Sequence, residues 1–345
     1  MEKINLKGLT LEELEQFVLS IEEKKFRAAQ LFAWIYRRNV LSFDVMTDMS
    51  KSLREKLEKI AYIGRLEPGN IQKSTLSETQ KFLFQLNDGL FVESVFMAEE
   101  KRHTVCLSSQ VGCALGCTFC ATGTLGFKRN LETWEIIDQF LAIQRLTGIE
   151  ISNIVIMGMG EPFLNYEAVL KACHLFNHPD GTAIGNRRIV ISTSGIIPQI
   201  YRYADEKQPF KLAISLNSAS EAQRSSIMPI NRQYSLERLM EAARYYAQKS
   251  RQRITFEYVL LKDLNNRKSD ADQLKELLAD IPCKINLIPY NAIPATNWQP
   301  TTEEITKFFT YFLNYPAVVS IRWSKGQDIQ AACGQLAASS SDISA

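Results

Sequence analysis

Apolar and polar positions divide the chain into stretches of different period. Within residues 1–66, Phe26, Ala29, Leu31, Trp34 and Ile35 recur near helical spacing, and Thr10 with Glu13 and Ser52 with Glu55 form capping-box signatures. A small helical accessory domain follows, its apolar residues used for packing and its contribution to function being substrate docking. From about 78 to 97 the period becomes two. K-F-L-F-Q-L and L-F-V-E-S-V-F-M flank the turn signal Asn87-Asp88-Gly89, which predicts a β-hairpin within a connector over 67–98. Glu93 shares a strand face with Phe91 and Val95. A carboxylate there needs a partner or a task, unless the strand is an edge that turns it to water.

Residues 99–345 alternate strand and helix. Strand-like runs are H-T-V-C-L, N-I-V-I-M, R-I-V-I-S, F-K-L-A-I-S-L, R-I-T-F-E-Y-V-L-L, K-I-N-L-I-P-Y and V-V-S-I-R-W, most of them separated by helical segments such as Glu132 to Leu146 and Leu236 to Gln248. Repeated β-α units imply parallel strands with right-handed crossovers, in an α/β barrel or a doubly wound sheet. No G-x-G-x-x-G follows a strand, which argues against a dinucleotide site. The polar motifs all fall at carboxyl ends of strands: the first strand leads into a cysteine loop, the second into G-M-G-E-P, the third into S-T-S-G, the fourth into S-L-N-S and the sixth into P-Y-N. A parallel barrel brings such ends to one mouth.

The cysteine loop, C-A-L-G-C-T-F-C, holds Cys113, Cys117 and Cys120. Four-cysteine zinc sites usually come as two C-x-x-C knuckles, whereas this tight group has three thiols. Three cysteines hold three irons of a cubane cluster and leave one iron open; a zinc loop or three buried cysteines are the alternatives. The spacing C-x-x-x-C-x-x-C resembles the cluster motif of radical S-adenosylmethionine (SAM) enzymes. That resemblance implies one 4Fe-4S cluster, SAM chelated to the open iron, and one-electron cleavage of SAM to methionine and a 5′-deoxyadenosyl radical.

Composition narrows the setting. Of 345 residues 46% are hydrophobic and 23% charged, enough for a full core. The first residues, M-E-K-I-N-L, lack a signal peptide's apolar core, no 18-residue apolar run follows, and seven cysteines do not suggest a secreted disulfide framework, so a cytoplasmic protein without a membrane partner is expected. A net charge of +2 does not identify an RNA binder. Basic residues are nevertheless clustered: Lys51, Arg54, Lys56 and Lys59; Lys101 and Arg102; Lys128 and Arg129; Arg187 and Arg188; Lys249, Arg251 and Arg253. Such clusters permit nucleic-acid binding without requiring it.

Four thiols lie outside the loop. Cys173 in a helical run and Cys283 beside a strand read as core. Cys106 lies on the strand that leads to the loop, and Cys333 sits in D-I-Q-A-A-C-G-Q-L, among small residues that allow close approach.

C-L-S-S-Q-V-G-C-A-L-G-C-T-F-C-A-T-G, G-F-K-R-N-L, M-G-M-G-E-P, M-P-I-N and D-I-Q-A-A-C-G-Q-L resemble the bacterial radical SAM RNA methyltransferases that methylate adenine at carbon 2. K-F-R-A-A-Q-L-F-A-W-I-Y and F-D-V-M-T-D-M-S-K-S-L-R-E-K-L resemble that family's accessory domain. The resemblance implies a partial (β/α) TIM barrel over 99–345, behind the helical domain. Its implied substrates are 23S ribosomal RNA, in the peptidyl-transferase region, and transfer RNA, at the adenosine 3′ of the anticodon. Two SAM molecules are implied per turnover, with a reductant such as flavodoxin and a monomeric enzyme. One SAM methylates Cys333; the radical from the second takes hydrogen from that S-methyl group. The methylene adds to adenine, Glu93 accepts the carbon-2 proton, and Cys106 attacks Cys333 sulfur to release the product with a transient disulfide.

The resemblance also assigns SAM contacts to Gly160, Glu161, Ser192, Ser215, Leu216, Asn217 and Asn291. Two departures stand out. Asn217 occupies a position where the family usually has histidine, and Lys325-Gly326 replaces arginine-glycine, exchanging a planar fork for a point charge. The sister family that methylates adenine carbon 8 shares the cluster, Cys106 and Cys333; the proline of G-E-P, the Q-V-G-C approach and the N-terminal match favour carbon 2. A non-catalytic metal-containing RNA-binding module is the alternative from another class, and it would need neither Cys333 nor SAM cleavage. Trp298, Tyr290 and Phe127 are candidates for stacking on a base and equally for the core. His103, His174 and His178 show no ligand spacing, and the ending S-S-S-D-I-S-A reads as a frayed terminus.

Overall fold

A computed structural model of the protein describes residues 3–294, 296–299 and 301–338. The serine-rich ending lies outside the described residues.

The N-terminal part is helical: α1 (Leu11–Ser20), α2 (Phe26–Phe32) and α3 (Lys51–Ile60), closed by the parallel pair β1 (Ile4–Asn5) and β2 (Ala61–Tyr62). Thr10 and Glu13 form the expected capping box on α1. The start of α3 differs, because Ser50 rather than Ser52 accepts the N–H of Leu53. Leu53 and Leu57 are the buried positions of α3, so the helix begins where its apolar face meets the core. Buried Lys7 donates to Asp138 at 2.6 Å, and Asp138 also accepts the Leu66 N–H, which fastens this part to the long helix Thr133–Thr147.

The remaining chain is built on a ten-stranded sheet. Strands β3 (Glu67–Lys73), β4 (Thr79–Gln85) and β5 (Phe91–Glu99) form an antiparallel meander, and the β4–β5 hairpin is the one expected from the alternation. β3 is unexpected. Its sequence, E-P-G-N-I-Q-K, reads as a turn, and it survives as a bulged edge strand, where proline does no harm to a ladder. β6 (Arg102–Leu107) continues the sheet, and the ribbon β7 (Gln110–Gly112) with β8 (Phe127–Asn130) frames the cysteine loop. Then come β9 (Asn153–Ile156), β10 (Ile189–Thr193), β11 (Lys211–Ser215), β12 (Ile254–Leu260), β13 (Cys283–Pro289) and β14 (Val318–Ile321).

The sheet order is β14-β13-β12-β11-β10-β9-β6-β5-β4-β3, with every pair from β6 to β14 parallel. It curves without closing, as a partial barrel. Thr104, Ser192, Ser215, Glu257, Asn286 and Ser320 line one interior cavity together with Val155, Val190, Val259 and Ile288, so the concave face carries polar side chains among apolar ones. The segment after β14 crosses the open side, with Lys325 on Glu99 at 2.6 Å and Asp328 accepting from Ser74 Oγ and Thr75 N–H at 2.7 and 2.8 Å. Among the described residues no helix is long and apolar enough to cross a membrane.

Candidate active site

The interior cavity measures about 1140 Å³ and takes in Cys106, Cys113, Cys117, Cys120 and Cys333 together. Sequence separation is large, but the parallel fold delivers the end of β6, the loop after it and the C-terminal segment to one place. Cys173 and Cys283 are buried elsewhere, as expected of core residues.

Glycines shape the cysteine loop. A Cβ on Gly112 would lie 1.8 Å from the Gly126 carbonyl oxygen, and one on Gly123 would lie 2.9 Å from that of Cys117. The loop is therefore wound tightly on its own backbone. Burial pushes the Cys117 thiol well up, and the charges of Cys120 and Cys113 push it further. Three thiolates so placed need positive charge among them. Among the described residues no three His, Cys, Asp or Glu side chains converge as a single ion requires; a zinc ion draws its sulfurs to about 2.3 Å of one point. Three thiols with no fourth protein ligand in the loop suit a cubane that leaves one iron open, whereas a structural zinc takes four ligands.

The segment bearing Cys333 is pinned beside that loop. Ala121 N–H donates to the Gly334 carbonyl at 2.7 Å, and Thr122 Oγ1 to that of Leu336 at 2.7 Å. Asn291 Nδ2 donates to the Cys333 carbonyl at 3.0 Å while its Oδ1 accepts from Gln327 at 2.7 Å. Cys333 opens onto the cavity, yet the protein around it is dense enough that burial raises its thiol, against the opposing pull of Arg322. The Cys106 thiol is pushed up to about 12 by burial and by Cys333, with Arg322 again opposing. Burial works against the charge of Arg322 too, but Glu257, Cys333, Cys106 and Glu99 outweigh it and its pKa is raised.

Glu93 is 2% exposed, so it does not turn to water. Lys81 Nζ meets its Oε1 at 2.8 Å and Ala337 N–H donates to its Oε2 at 2.8 Å. It is not among the residues that line the cavity, and the Ala337 contact ties it to the C-terminal segment.

The positions tied to SAM by resemblance divide. Gly160 has φ +98, and a Cβ there would lie 2.5 Å from Gln110 Cβ, so only glycine fits. Glu161 accepts from Phe163 N–H at 3.1 Å and Ser194 N–H at 2.8 Å, joining the loops after β9 and β10. Ser192, Ser215, Asn217 and Asn291 line the cavity. Leu216 does not: its side chain is in the core, its N–H donates to the Glu257 carbonyl, and its carbonyl accepts from Arg224. Asn217 holds φ +60, which asparagine tolerates, and its Oδ1 accepts the Val259 N–H at 2.9 Å.

Three further residues belong to this region. Arg224 is almost fully buried and donates to the carbonyls of Leu216 and Ser194 and to Asn231, stitching the ends of β10 and β11 under the cysteine loop. Arg322 acts on the thiols of both Cys106 and Cys333, and Glu257 on that of Cys333. Glu257 is 5% exposed, and its Oε2 has no hydrogen-bond partner. The signal for Glu257 was present in R-I-T-F-E-Y-V-L-L, a carboxylate inside an apolar strand as at Glu93. Of the aromatic candidates, Tyr290 is buried edge-on to Trp298, and Phe127 is exposed on the ribbon. His103, His174 and His178 make ordinary local contacts.

A family model described as the ribosomal RNA large subunit methyltransferase N-terminal domain matches residues 4–63, and the radical SAM superfamily model matches 107–274. The probable dual-specificity RNA methyltransferase RlmN of Thermoanaerobacter sp. (strain X514) is 45% identical over 96% of this chain and 97% of its own length. The dual-specificity RNA methyltransferase RlmN of Pelobacter propionicus is 46% identical, covering 97% and 96%. The chain belongs to the RlmN family of radical SAM RNA methyltransferases. A crystal structure of a radical SAM methyltransferase from Sphaerobacter thermophilus superposes with a TM-score of 0.92 at 41% identity, over 96% of this chain and 99% of the other. Membership makes this RlmN-type chain an enzyme, and the superfamily's cofactors are a 4Fe-4S cluster and SAM.

Proposed function

We propose that the enzyme methylates carbon 2 of adenosine in RNA, both in the peptidyl-transferase region of 23S rRNA and 3′ of the anticodon in tRNA, using two SAM molecules per turnover and a reductant such as flavodoxin. The observation that carries the reading is the meeting of Cys333 and Cys106 in the cavity that the cysteine loop also lines. Carbon 2 is an electron-poor aromatic carbon and cannot attack a methyl sulfonium as an amine would.

Cys113, Cys117 and Cys120 would hold the cluster, and Gly160, Glu161, Ser192, Ser215, Asn217 and Asn291 would lie around SAM. When bound, the cluster and SAM supply a transferable methyl group and a hydrogen-abstracting radical. Cys333 accepts the methyl on sulfur, and the nearby Arg322 guanidinium favours the thiolate that this requires. After carbon–carbon bond formation the odd-electron adduct must give up one electron, which a bound cluster would accept, and Glu93 takes the carbon-2 proton, which demands that the Ala337 contact open. Cys106 then attacks Cys333 sulfur. The sulfur–carbon bond breaks, its electron pair leaves with the methylene carbon, a proton completes the methyl group, and a Cys106–Cys333 disulfide remains for reduction. The match of residues 4–63 to the RlmN N-terminal model supports carbon 2 over the sister chemistry at carbon 8.

The test is nucleoside mass spectrometry of RNA incubated anaerobically with reconstituted enzyme, SAM and reductant. 2-Methyladenosine should form with the wild type and vanish with Cys333→Ala. 8-Methyladenosine would assign the sister chemistry instead, and deoxyadenosine without a methylated base would leave only radical SAM activity standing.

A further inference from the structure

The amino ends of the parallel strands carry a row of cations. Arg102 opens β6, Arg187 and Arg188 precede β10, Lys211 opens β11, Arg253 precedes β12 and Lys284 is the second residue of β13. All six are exposed and line the cavity, at the end away from the cysteine loop. In sequence they are scattered over 183 positions (102 to 284). A parallel sheet collects them, because strands that share a direction share an end.

These charges have no counterions of their own. Among the described residues every ion pair engages other cations. Glu99 stands opposite Arg102 in the β5–β6 register but is held by Lys325 at 2.6 Å. Like charges are close enough to be felt: Lys211 has its pKa lowered by burial and then by Lys284, Arg102 and Arg187. A chain with a net charge of only +2 has concentrated unpaired positive charge on one rim at a cost to its own stability. After β14, between Arg322 and the Lys325 that reaches Glu99 opposite Arg102, Trp323 is 51% exposed and lines the same cavity. Cations that track a backbone, with an aromatic face beside them, are what a single-stranded or looped nucleic acid requires.

We propose that this rim takes the phosphodiester backbone of the substrate RNA, with Trp323 as a stacking face. RNA then approaches the barrel at the amino ends of its strands, and the target nucleotide reaches Cys333 through the interior, from the side opposite the cysteine loop. The proposal rests on the reading of the enzyme as an RNA methyltransferase.

The test is equilibrium binding of a fluorescent hairpin RNA with adenosine in its loop, by anisotropy over a series of KCl concentrations. Lys211→Glu/Lys284→Glu and Arg187→Glu/Arg188→Glu should each weaken binding at least tenfold. The neutral pair Lys211→Gln/Lys284→Gln guards against misfolding by charge reversal, and should lower the log–log salt slope by about 1.4, the loss of two single-strand phosphate contacts. Trp323→Ala should weaken binding about fivefold or more with the slope unchanged. Lys268→Glu/Lys307→Glu, on helices elsewhere, should bind as wild type. The proposal is overturned if the rim variants bind as wild type, or if the control pair weakens binding as much as they do. Parallel nucleoside analysis separates the two readings. Wild-type enzyme that makes 2-methyladenosine while rim variants bind normally removes the rim alone, whereas rim-dependent binding without any methylated base removes the reaction alone.

Discussion

Asn291 Nδ2 holds the carbonyl oxygen of Cys333 at 3.0 Å, with Gln327 holding Asn291 in turn at 2.7 Å. By resemblance Asn291 is a SAM contact; in this arrangement it also holds the backbone of the cysteine proposed to receive the methyl group. The two roles separate kinetically. If orientation dominates, Asn291→Ala should slow methyl transfer to Cys333 about tenfold or more with little change in KM for SAM, as expected for a misplaced nucleophile. Intact-protein mass spectrometry of the methylated chain against time and SAM concentration measures both. A raised KM with an unchanged limiting rate would return Asn291 to SAM binding alone.

Cys333 lies close enough to Cys106 to help push its thiol up, and the release step proposed for the enzyme assigns Cys106 no earlier task. Cys106→Ala should therefore still link to RNA but fail to let go. A covalent RNA–protein species should accumulate on denaturing gels, dependent on SAM and reductant and absent in Cys106→Ala/Cys333→Ala. Normal turnover by Cys106→Ala would remove the disulfide step.

Much of this architecture was legible in the chain because parallel β-α units leave a strong pattern, and because functional residues collect at strand ends. β4, β5 and the later strands carry apolar alternation or apolar runs that few other structures explain. What the pattern could not reveal was long-range. β3 and the β7–β8 ribbon lack apolar alternation and exist only because neighbours supply their ladder partners. Leu216 stood beside true cavity residues in sequence, but a strand alternates its faces, and this position points into the core. Glu93, a carboxylate in an apolar strand, is buried and paired rather than turned to water. Its partners, Lys81 and the Ala337 N–H, lie 12 and 244 residues away, and no spacing rule connects them. The rim of cations is the same case, since its charges in sequence look like ordinary surface pairs.

The N-terminal helices depend on a charge that is itself buried. Lys7 and Asp138 are both wholly inaccessible, with Arg145 Nη2 3.2 Å from Asp138. Desolvation is the larger effect on Lys7 and lowers its pKa despite the attraction of Asp138. Asp138→Ala would leave that ammonium buried and unpaired, and should destabilise the protein by about 3–5 kcal/mol. Lys7→Met/Asp138→Leu removes both charges and should recover much of that loss. Urea unfolding of the three proteins checks it; equal destabilisation by single and double variants would mean the pair is not the cause.

Glu257 gives stability a pH dependence of calculable sign. Burial raises its pKa, and Arg322 and Asn286 Nδ2, which donates to Oε1 at 3.0 Å, offset this only in part. A carboxyl whose folded pKa exceeds its unfolded value of about 4.3 binds its proton more tightly when folded. Its effect on stability is then absent below the unfolded value and grows unfavourable as pH rises toward the folded value, above which it stays constant. The unpartnered Oε2 is the structural source, because the anion formed in that window finds no donor there. Glu257→Gln keeps the shape and carries no titrating proton. Its stability relative to wild type should rise as pH climbs through that window, read as the difference in urea midpoints at successive pH values. A difference independent of pH would show that Glu257 titrates alike folded and unfolded, and that a donor reaches Oε2 in solution.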